Sequence, residues 1–293
     1  MSIIRKSYRK FIKTLYKYFP VFTTRVEFFL KTKKLLKLNN PKTFNDKIQY
    51  LKIHNHNNLK SICSDKYQVR QYIKEKKLDH ILNKLIGVYD NANDIEWDKL
   101  PNKFVIKCNH GSGYNIICTD KNKLDISKTC KKLNKWMKTK YGLTTGEFHY
   151  DFIIPKIIIE NYLEERNSKL PVDYKIFCFN GKAHFIMVIK ERENSATYKR
   201  YFFDLDWNLL QVTKKIDKKT CFIEKPKNLS EMITIANILS EGFHFVRVDF
   251  YEINNEIIFG EMTFTPVSGM ANYYSNNFQA KLGDLININE KRL

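Results

Sequence analysis

Long hydrophobic runs are missing from this sequence of 293 residues. No apolar stretch approaches the roughly 18–20 residues that a helix needs to span a bilayer, and the N-terminus lacks the apolar region and cleavage site of a signal peptide. We therefore expect the protein to stay in the cytoplasm, where it is made. A content of 43% hydrophobic and 28% charged residues predicts a globular chain with a sizeable core.

Paired cysteines and metal-type histidine clusters are missing as well. The seven histidines are scattered, which excludes the usual zinc spacings, and the glycine-lysine order of a Walker phosphate loop is absent. The cysteines contain no Cys-x-x-Cys pair, which predicts reduced, packed thiols rather than a disulfide framework. They are Cys63, Cys108, Cys118, Cys130, Cys178 and Cys221.

Acidic residues are scarce at the N-terminus. Residues 1–40 contain eleven Lys and Arg but one acid, Glu27, and so carry half of the net charge of +20. A basic amphipathic helix over residues 1–20 suits the anionic inner face of the cell membrane, but it equally suits packing on its own domain. Nucleic acid is a third partner for so basic a chain, yet no binding signature is present and we do not expect it. The predicted apolar face consists of Ile4, Tyr8, Phe11, Ile12, Leu15 and Phe19.

The remainder of the chain predicts an α+β fold dominated by antiparallel hairpins. Three hairpins are predicted from paired apolar strands with turn residues between them, over residues 103–118, 174–190 and 245–264. Helices are predicted over 46–53, capped by Thr43, and over 66–76, 125–140 and 228–241. A further short strand is predicted over 209–213, and 141–151 is predicted to be irregular.

The end of the strand before residue 110 carries a lysine followed by a glycine-containing turn. A buried ammonium group is costly unless it meets an anion, so Lys107 is a candidate phosphate ligand. The turn His110-Gly-Ser-Gly113 adds the Ser112 hydroxyl and main-chain N–H groups around Gly113 that suit phosphate oxygens. A plain hairpin tip explains the same turn, and both interpretations stay open.

A second candidate is the strand of three isoleucines that ends in Glu160. The main chain of Asn161, Tyr162 and Leu163 follows this carboxylate, and the combination could hold the edge of a purine. The alternative is a core strand with a polar end.

The third candidate is a group of polar residues on the last hairpin. Residues i and i+2 of a strand share a face, so Arg247 lies beside Asp249, and Glu261 beside Thr263. With the turn at residues 254–255, Asp249 pairs near residue 260 and stands next to Glu261. Two adjacent carboxylates need a cation between them, which suits Mg²⁺ with nucleotide phosphates, while Arg247 suits a negative substrate group. An ion pair of Arg247 with one acid is the alternative.

A basic pair, Lys199 and Arg200, enters another strand. Charges of this kind usually protect a sheet edge. The alternative is contact with a phosphoryl group in transfer.

Taken in order, these segments resemble ATP-grasp enzymes, and in particular the TupA-like branch that is associated with teichuronopeptide and other surface-polysaccharide synthesis. The resemblance runs from about Thr43 to Leu285. Its marks are Thr-Phe-Asn-Asp-Lys-Ile-Gln (43–49), Asp-Lys-Tyr-Gln-Val-Arg (65–70), Phe-Val-Ile-Lys-Cys-Asn-His-Gly-Ser-Gly (104–113), Asp-Tyr-Lys-Ile-Phe-Cys-Phe-Asn-Gly-Lys (173–182), Phe-Asp-Leu-Asp-Trp-Asn (203–208), Val-Arg-Val-Asp (246–249) and Gly-Glu-Met-Thr-Phe (260–264).

The resemblance implies an ATP-grasp fold, in which two α+β subdomains grip ATP, and implies ATP and Mg²⁺ as cofactors. Its domains would be a basic helical extension (1–40), a helical region (41–102), a small subdomain (103–165) and a large subdomain with the metal site (166–293).

The roles that the resemblance implies fall into three groups. Nucleotide contacts would come from Lys107, Ser112, Gly113, Glu160, Asn161, Tyr162, Leu163 and Asp173. Magnesium would be held by Asp249 and Glu261, with Thr263 at a position where many ATP-grasp ligases have Asn. The acyl phosphate would meet Arg247, and the γ-phosphate Lys199 or Arg200.

The implied activity is an ATP-dependent carboxylate–amine ligase that forms an acyl phosphate during capsular, teichuronic or O-antigen polysaccharide synthesis. It would join an amino acid or amine to a uronic acid, on a glycan that is lipid-linked. Two alternatives remain: a membrane-peripheral, non-catalytic nucleotide-binding protein of the same shape, and a glycosyltransferase of the same pathway, for which Asp204-Leu-Asp206 would be the metal triplet.

Overall fold

The computed structural model describes residues 3–55, 57–164, 171–190, 199–213, 223–290 and 292; for 3–10, 190 and 199 it describes the main chain alone. The helices are α1 (Ile3–Tyr18), α2 (Pro20–Thr32), α3 (Phe44–His54), α4 (Asn58–Ser64), α5 (Val69–Glu75), α6 (Ile126–Met137), α7 (Gly142–Thr145), α8 (Leu229–Ser240) and α9 (Asn276–Asp284). The strands are β1 (Leu85–Tyr89), β2 (Phe104–Cys108), β3 (Asn115–Cys118), β4 (Ile157–Asn161), β5 (Asp173–Phe179), β6 (Lys182–Lys190), β7 (Lys199–Phe203), β8 (Phe245–Ile253) and β9 (Glu256–Thr263).

The strands form two antiparallel sheets. The first has the order β1-β4-β2-β3, and the second has the order β7-β6-β5-β8-β9. In the second sheet the strand β8, which arrives late in the chain, pairs with β5, so that Lys175 lies opposite Asp249. This pairing joins two hairpins into one surface and brings together polar residues that lie far apart in the sequence.

The second sheet is covered on both faces. One face packs against α8 and contributes alternate residues such as Ile176 and Val248 to the core. The other face packs against α3 and α9, where Phe44 meets Phe177 and Phe179. Beyond these phenylalanines the same face carries Lys175, Arg247 and Asp249, so the apolar core gives way to a charged cluster.

The three predicted hairpins are confirmed. Their turns follow the chemistry of the sequence, because Asn180-Gly181 and Asn254-Asn255 adopt the positive φ angles that these residues tolerate best. The predicted cap of α3 is also confirmed, since Thr43 and Asp46 form a reciprocal capping box.

Two predictions about secondary structure are wrong. Residues 209–213 do not form a strand; they make isolated bridges from Leu209 to Phe203 and from Thr213 to Tyr274. Residues 141–151 are not irregular, because α7 and a 3-10 helix over Phe148–Phe152 occupy them. Gly146 ends α7 in the left-handed conformation, which glycine adopts without steric cost.

The N-terminal helices pack on the domain in an unexpected way. On α1, Ile12 and Tyr16 are buried while Phe11 is exposed, and the Tyr16 hydroxyl donates to Glu27 at 2.5 Å. On α2 the buried side includes the polar residues Thr23, Thr24 and Glu27. Its outward side is apolar, with exposed residues at helical spacing: Phe19, Phe22, Val26, Phe29 and Leu30.

Among the helices that the structure describes, none has the length and hydrophobicity needed to cross a bilayer. The cysteines at 63, 108, 118, 130 and 178 are free thiols, as the sequence predicts. Cys221 lies outside the described residues.

Candidate active site

A β-bulge sets the two metal-type carboxylates side by side. Counting back from the turn, Phe250 pairs with Phe259, but Asp249 pairs with Glu261 rather than with Gly260. Gly260 is therefore the extra residue of a bulge, and its position is tight, because a Cβ there would lie 3.0 Å from the Asp249 carbonyl oxygen. Asp249 and Glu261 consequently share one face of the hairpin.

Two buried cations neutralise Asp249. The Arg247 guanidinium donates to both carboxylate oxygens, from Nε at 2.6 Å and from Nη2 at 2.7 Å, and Nη2 also reaches Glu261 at 3.2 Å. The Lys175 ammonium contacts the Asp249 carboxylate and lies 2.6 Å from Asp173. Bidentate and shared contacts of this kind are the strong form of ion pair, so the cluster is both charged and ordered.

Lys66 provides a third cation from outside the sheet. Burial alone would raise the pKa of Glu261, but the cations Lys66, Arg247 and Lys175 outweigh it and lower that pKa to about 2. Burial lowers the pKa of Lys66, while the charge of Glu261 raises that pKa and the charge of Lys107 lowers it further. Lys66 thus lies within electrostatic range of both sheets, and it links the carboxylates of the second sheet to the lysine of the first.

In the first sheet, Lys107 and Glu160 form a pair. The Lys107 ammonium donates to Glu160 at 2.7 Å, and Arg70 donates to the other oxygen at 3.2 Å. Glu160 is buried, whereas about a quarter of the Lys107 side chain is exposed (27%). An anion that approaches Lys107 would therefore meet a cation already held in position by its counter-ion.

The turn between β2 and β3 is anchored at one end and open at the other. The Lys66 ammonium donates to the Gly111 carbonyl at 2.6 Å, and the His110 ring nitrogen donates to the Trp136 carbonyl at 3.1 Å. Ser112 and Gly113 are exposed, and Gly113 has a φ of +75°. These two residues therefore form the accessible tip that the sequence predicts.

The other residues predicted to contact the nucleotide lie in two different places. The main chain of Asn161 is already engaged, because its N–H donates to Lys84 and its carbonyl accepts from Asn83. A base edge would therefore use Tyr162 and Leu163, which follow the end of β4 and are half-buried. Asp173 begins β5 and contacts Lys175, which places it in the charged cluster rather than at the end of β4.

The basic pair of β7 is only partly described. The side chain of Lys199 lies outside the described residues. The Arg200 guanidinium stacks over the Tyr273 ring at 4.7 Å. Arg200 and Arg247 both act electrostatically on the buried Tyr274 hydroxyl, so Arg200 approaches the charged cluster from the side of Tyr274.

The chemistry of these donors fits a magnesium–nucleotide complex. Within the described ranges, no group of three or more His, Cys, Asp or Glu side chains forms a metal site by itself. Asp249, Glu261 and the Thr263 hydroxyl, which donates to Glu261 at 3.0 Å, are hard oxygen ligands of the kind that Mg²⁺ takes together with phosphate oxygens.

Sequence reasoning missed Lys66, Arg70 and Lys175 as site residues. For Lys175 a signal was present, because Asp173 and Lys175 are charged residues at i and i+2 in an otherwise apolar strand and so share a face. Lys66 and Arg70 lie in the segment 65–70, but nothing local indicates that it packs against the turn between β2 and β3.

A family model described as TupA-like ATPgrasp matches residues 46–287. No curated protein matches the sequence significantly.

Several solved structures are similar to the chain. D-alanine–D-alanine ligase from Bacillus anthracis in complex with ATP has 18% identity and a TM-score of 0.47, over 77% of this chain and 65% of that one. L-amino acid ligase from Bacillus licheniformis has 10% identity and a TM-score of 0.47, over 92% and 57%. D-alanine–D-alanine ligase from Helicobacter pylori has 12% identity and a TM-score of 0.44, over 84% and 68%. The chain thus spans less than two thirds of the first two proteins.

Proposed function

The chain belongs to the TupA-like ATP-grasp family, and we propose on this basis that it is an ATP-dependent carboxylate–amine ligase. Its two antiparallel sheets with packed helices form an α+β ATP-grasp fold. The observation that carries the proposal is the pair Asp249 and Glu261, set side by side by a bulge and surrounded by Arg247, Lys175 and Lys66.

The proposed reaction has two steps. A carboxylate oxygen of the substrate takes the γ-phosphoryl group of ATP, so that ADP leaves and an acyl phosphate forms. An amine then attacks the acyl carbon and loses a proton, and inorganic phosphate leaves as the amide forms. The first step makes a poor acyl donor reactive, because phosphate is a far better leaving group than oxide.

The residues of the cluster would bind and neutralise the reacting groups. Asp249 and Glu261 would hold Mg²⁺, which supplies charge neutralisation at the nucleotide phosphates when it is bound. Lys107 and Lys66 would face the phosphates from the other side, while the charge of Arg247 would stabilise the acyl phosphate. The turn at Ser112 and Gly113 would close over the phosphates and exclude water.

One contact favours the non-catalytic alternative. Arg247 occupies both oxygens of Asp249, and Thr263 stands where many ligases have Asn. A metal ion at Asp249 requires the guanidinium to give up at least one of these contacts. A protein that binds nucleotide without turnover could keep them.

Turnover with defined substrates separates these two functions. The protein is incubated with Mg-ATP and pairs drawn from uronic acids, amino acids and amines, and products are identified by mass. We expect ADP and phosphate release that depends on both substrates, and its loss in Asp249→Asn and Glu261→Gln with Lys182→Met as an active control. Tight ATP binding without dependent ADP release across a broad panel would favour the non-catalytic alternative.

For the substrate we propose a uronic acid or amino acid of a surface polysaccharide, on a lipid-linked glycan. The support is the N-terminal surface, where the apolar side of α2 faces outward and lysines such as Lys31, Lys33 and Lys34 lie beside it. Exposed aromatic residues among cations suit the interface of an anionic membrane. Contact of this surface with the inner leaflet would bring the ligase to a lipid-linked substrate.

Vesicle sedimentation tests this contact. The wild-type protein should bind phosphatidylglycerol-rich vesicles better than phosphatidylcholine vesicles. The double variant Phe22→Asp, Phe29→Asp should lose about tenfold or more in binding, since two half-exposed aromatic rings no longer enter the interface. The control Ile117→Asp changes an exposed residue of β3 instead. Equal binding by the double variant and the wild type would count against the proposal.

The glycosyltransferase alternative lacks a supporting contact among the described residues. The Asp204 carboxylate accepts from the main-chain N–H groups of Asp206 and Asn208 at 3.0 and 2.7 Å. It therefore stabilises a tight turn, as the sequence predicts.

A further inference from the structure

A cavity with two lysines in its lining lies beside the charged cluster and plays no part in the proposed nucleotide site. It has a volume of about 270 Å³ and lies between the C-terminal end of α3, the helix α4 and the 3-10 helix over Phe148–Phe152. The Phe152 ring and several polar side chains line it, among them Lys52, Asn55, Asn58, Lys60, Ser61 and His149. Of the described residues that line it, none is an acid.

Two of these residues are buried lysines that form no ion pair with any acid that the structure describes. Lys52 is 2% exposed and Lys60 is 6% exposed. Among the described residues, the Lys52 ammonium has no hydrogen-bond partner, and the Lys60 ammonium is 6.0 Å from the centre of the Phe264 ring. Burial lowers the pKa of each lysine to about 8, so both remain largely charged at neutral pH. Buried charges are ordinarily paired with an opposite charge, and within the described part of the chain these two are not.

Two acids act on these lysines, and each is already hydrogen-bonded to other side chains. Glu147 acts electrostatically on both lysines, but its carboxylate accepts hydrogen bonds from the hydroxyls of Thr265 and, at 3.2 Å, Ser268. Glu27 acts on Lys52, but it accepts from the Tyr16 hydroxyl at 2.5 Å. Within the described residues the imidazole Nε2 of His149 lacks a hydrogen-bond partner as well. A bound anion that accepts several hydrogen bonds would complete the group.

The cavity adjoins the end of β9, which carries the metal-type residues. Phe264, whose ring lies near both Lys60 and His149, directly follows Thr263, and Thr265 then contacts Glu147. Side chains alternate along an extended chain, so Thr263 faces the charged cluster while Phe264 faces the other way. The cavity is thus separated from the cluster by one short chain segment.

We infer that Lys52, Lys60 and His149 form a second anion site, which binds a carboxylate or phosphate group of the substrate away from the carboxylate that reacts. The assignment of the ligand to the substrate rests on the proposed ligase function; the anion site itself does not. Substrates of this class would carry at least two anionic groups, one to be activated and one to be held. A sugar phosphate with a uronic carboxylate is an example.

Thermal unfolding with three probes tests the inference, using the full chain and the variants Lys52→Met and Lys60→Met. Without probe, both variants should unfold at a higher temperature than the wild type, because each removes a buried charge that is not ion-paired to any described residue. With glucuronate, inorganic phosphate or glucuronate 1-phosphate, the wild type should be stabilised, and the dissociation constant should rise roughly tenfold to a hundredfold in the variants. If only the phosphate-containing probes stabilise the wild type, the site binds a phosphate group. If glucuronate stabilises it, the site binds a carboxylate.

The controls separate this site from the nucleotide site. Lys74→Met removes an exposed lysine of α5 and should change neither stability nor probe binding. Mg-ATP binding should be retained in Lys52→Met and Lys60→Met, whatever the outcome for the ligase activity. A lower unfolding temperature of both variants without probe, or equal probe binding by wild type and variants, would overturn the inference. Probe binding together with no turnover across the substrate panel described above would count against the ligase and leave the anion site standing.

Discussion

Removal of the Lys175 charge is the most direct test of how the carboxylates of the cluster are held. Lys175 joins Asp173 to Asp249, and its side chain is 10% exposed while those of the two acids are 4% and 2% exposed. The change Lys175→Met keeps an unbranched side chain that is one atom shorter and removes its charge. It therefore leaves two buried acids with one cation fewer.

The magnitude follows from the contacts that remain. Asp249 keeps both hydrogen bonds from Arg247, whereas Asp173 loses the cation that lies 2.6 Å away. Breaking a buried ion pair by removing one partner costs about 3–5 kcal/mol. Because Asp249 stays bonded to Arg247, we expect the lower end, about 3 kcal/mol. With a denaturant dependence of about 2–3 kcal/mol per molar, this corresponds to a loss of roughly 1 M in the urea midpoint.

Urea unfolding at neutral pH measures the effect, with Lys182→Met as the control. Lys182 is an exposed residue of β6, so its variant should stay within about 0.5 kcal/mol of the wild type. Added Mg²⁺ should stabilise Lys175→Met more than the wild type, since a divalent cation can replace the missing charge. A loss below about 1 kcal/mol, without a change in the slope, would refute the view that Lys175 neutralises both carboxylates.

Three further changes have defined outcomes. The low pKa of Glu261, about 2 against an ordinary 4.5, stabilises the fold fully above pH 4.5, and this contribution is lost as the pH falls toward 2. Because the Glu261 side chain is 40% exposed, this contribution is about 1–2 kcal/mol. The free energy of unfolding of Glu261→Gln should therefore depend less on pH between 4.5 and 2 than that of the wild type. An unchanged pH dependence would contradict this prediction. Gly260→Val places a side chain against the Asp249 carbonyl and should lower the free energy of unfolding by about 1–3 kcal/mol. It should also weaken Mg-ATP binding, which titration calorimetry measures. Full affinity for Mg-ATP would exclude a role for the bulge. Thr43→Ala removes the capping box of α3 and should lower the free energy of unfolding by about 1 kcal/mol, with ATP affinity retained in the same titration; a loss of affinity would show that α3 influences the site.

Local structure could be predicted well because its causes are local. The hairpins over 174–190 and 245–264 follow from alternating side chains and from Asn-containing turns that tolerate positive φ. The order of the strands could not be predicted in this way, since the pairing of β5 with β8 depends on contacts between residues about 70 positions apart, such as Lys175 and Asp249. The charged pair Asp173 and Lys175 on one face of β5 was visible in the sequence, but the contact of Lys175 with Asp249 depends on this strand pairing.

The α2 helix illustrates a second limit. Periodicity predicts that its apolar residues share a side, but it does not say which side packs on the protein. The domain binds the side that carries Phe28 together with polar residues such as Glu27, which accepts from Tyr16. It leaves Phe22 and Phe29 exposed. A pattern that usually indicates a buried face here indicates a surface that is available to another partner.

The bulge at Gly260 was visible in the hydrophobic pattern itself. On β8 the residues that face the core beneath α8 are Val246, Val248 and Phe250, all at even positions. On β9 and the residue after it, the residues of the same core change from odd positions, Ile257 and Phe259, to even positions, Met262 and Phe264. A strand whose alternation changes phase must contain an extra residue, because each step otherwise reverses the face. Glycine at 260 is where that residue fits. Without the phase change, either Glu261 or the apolar residues around it would face the wrong side, so the core pattern and the position of the second carboxylate are set by the same residue.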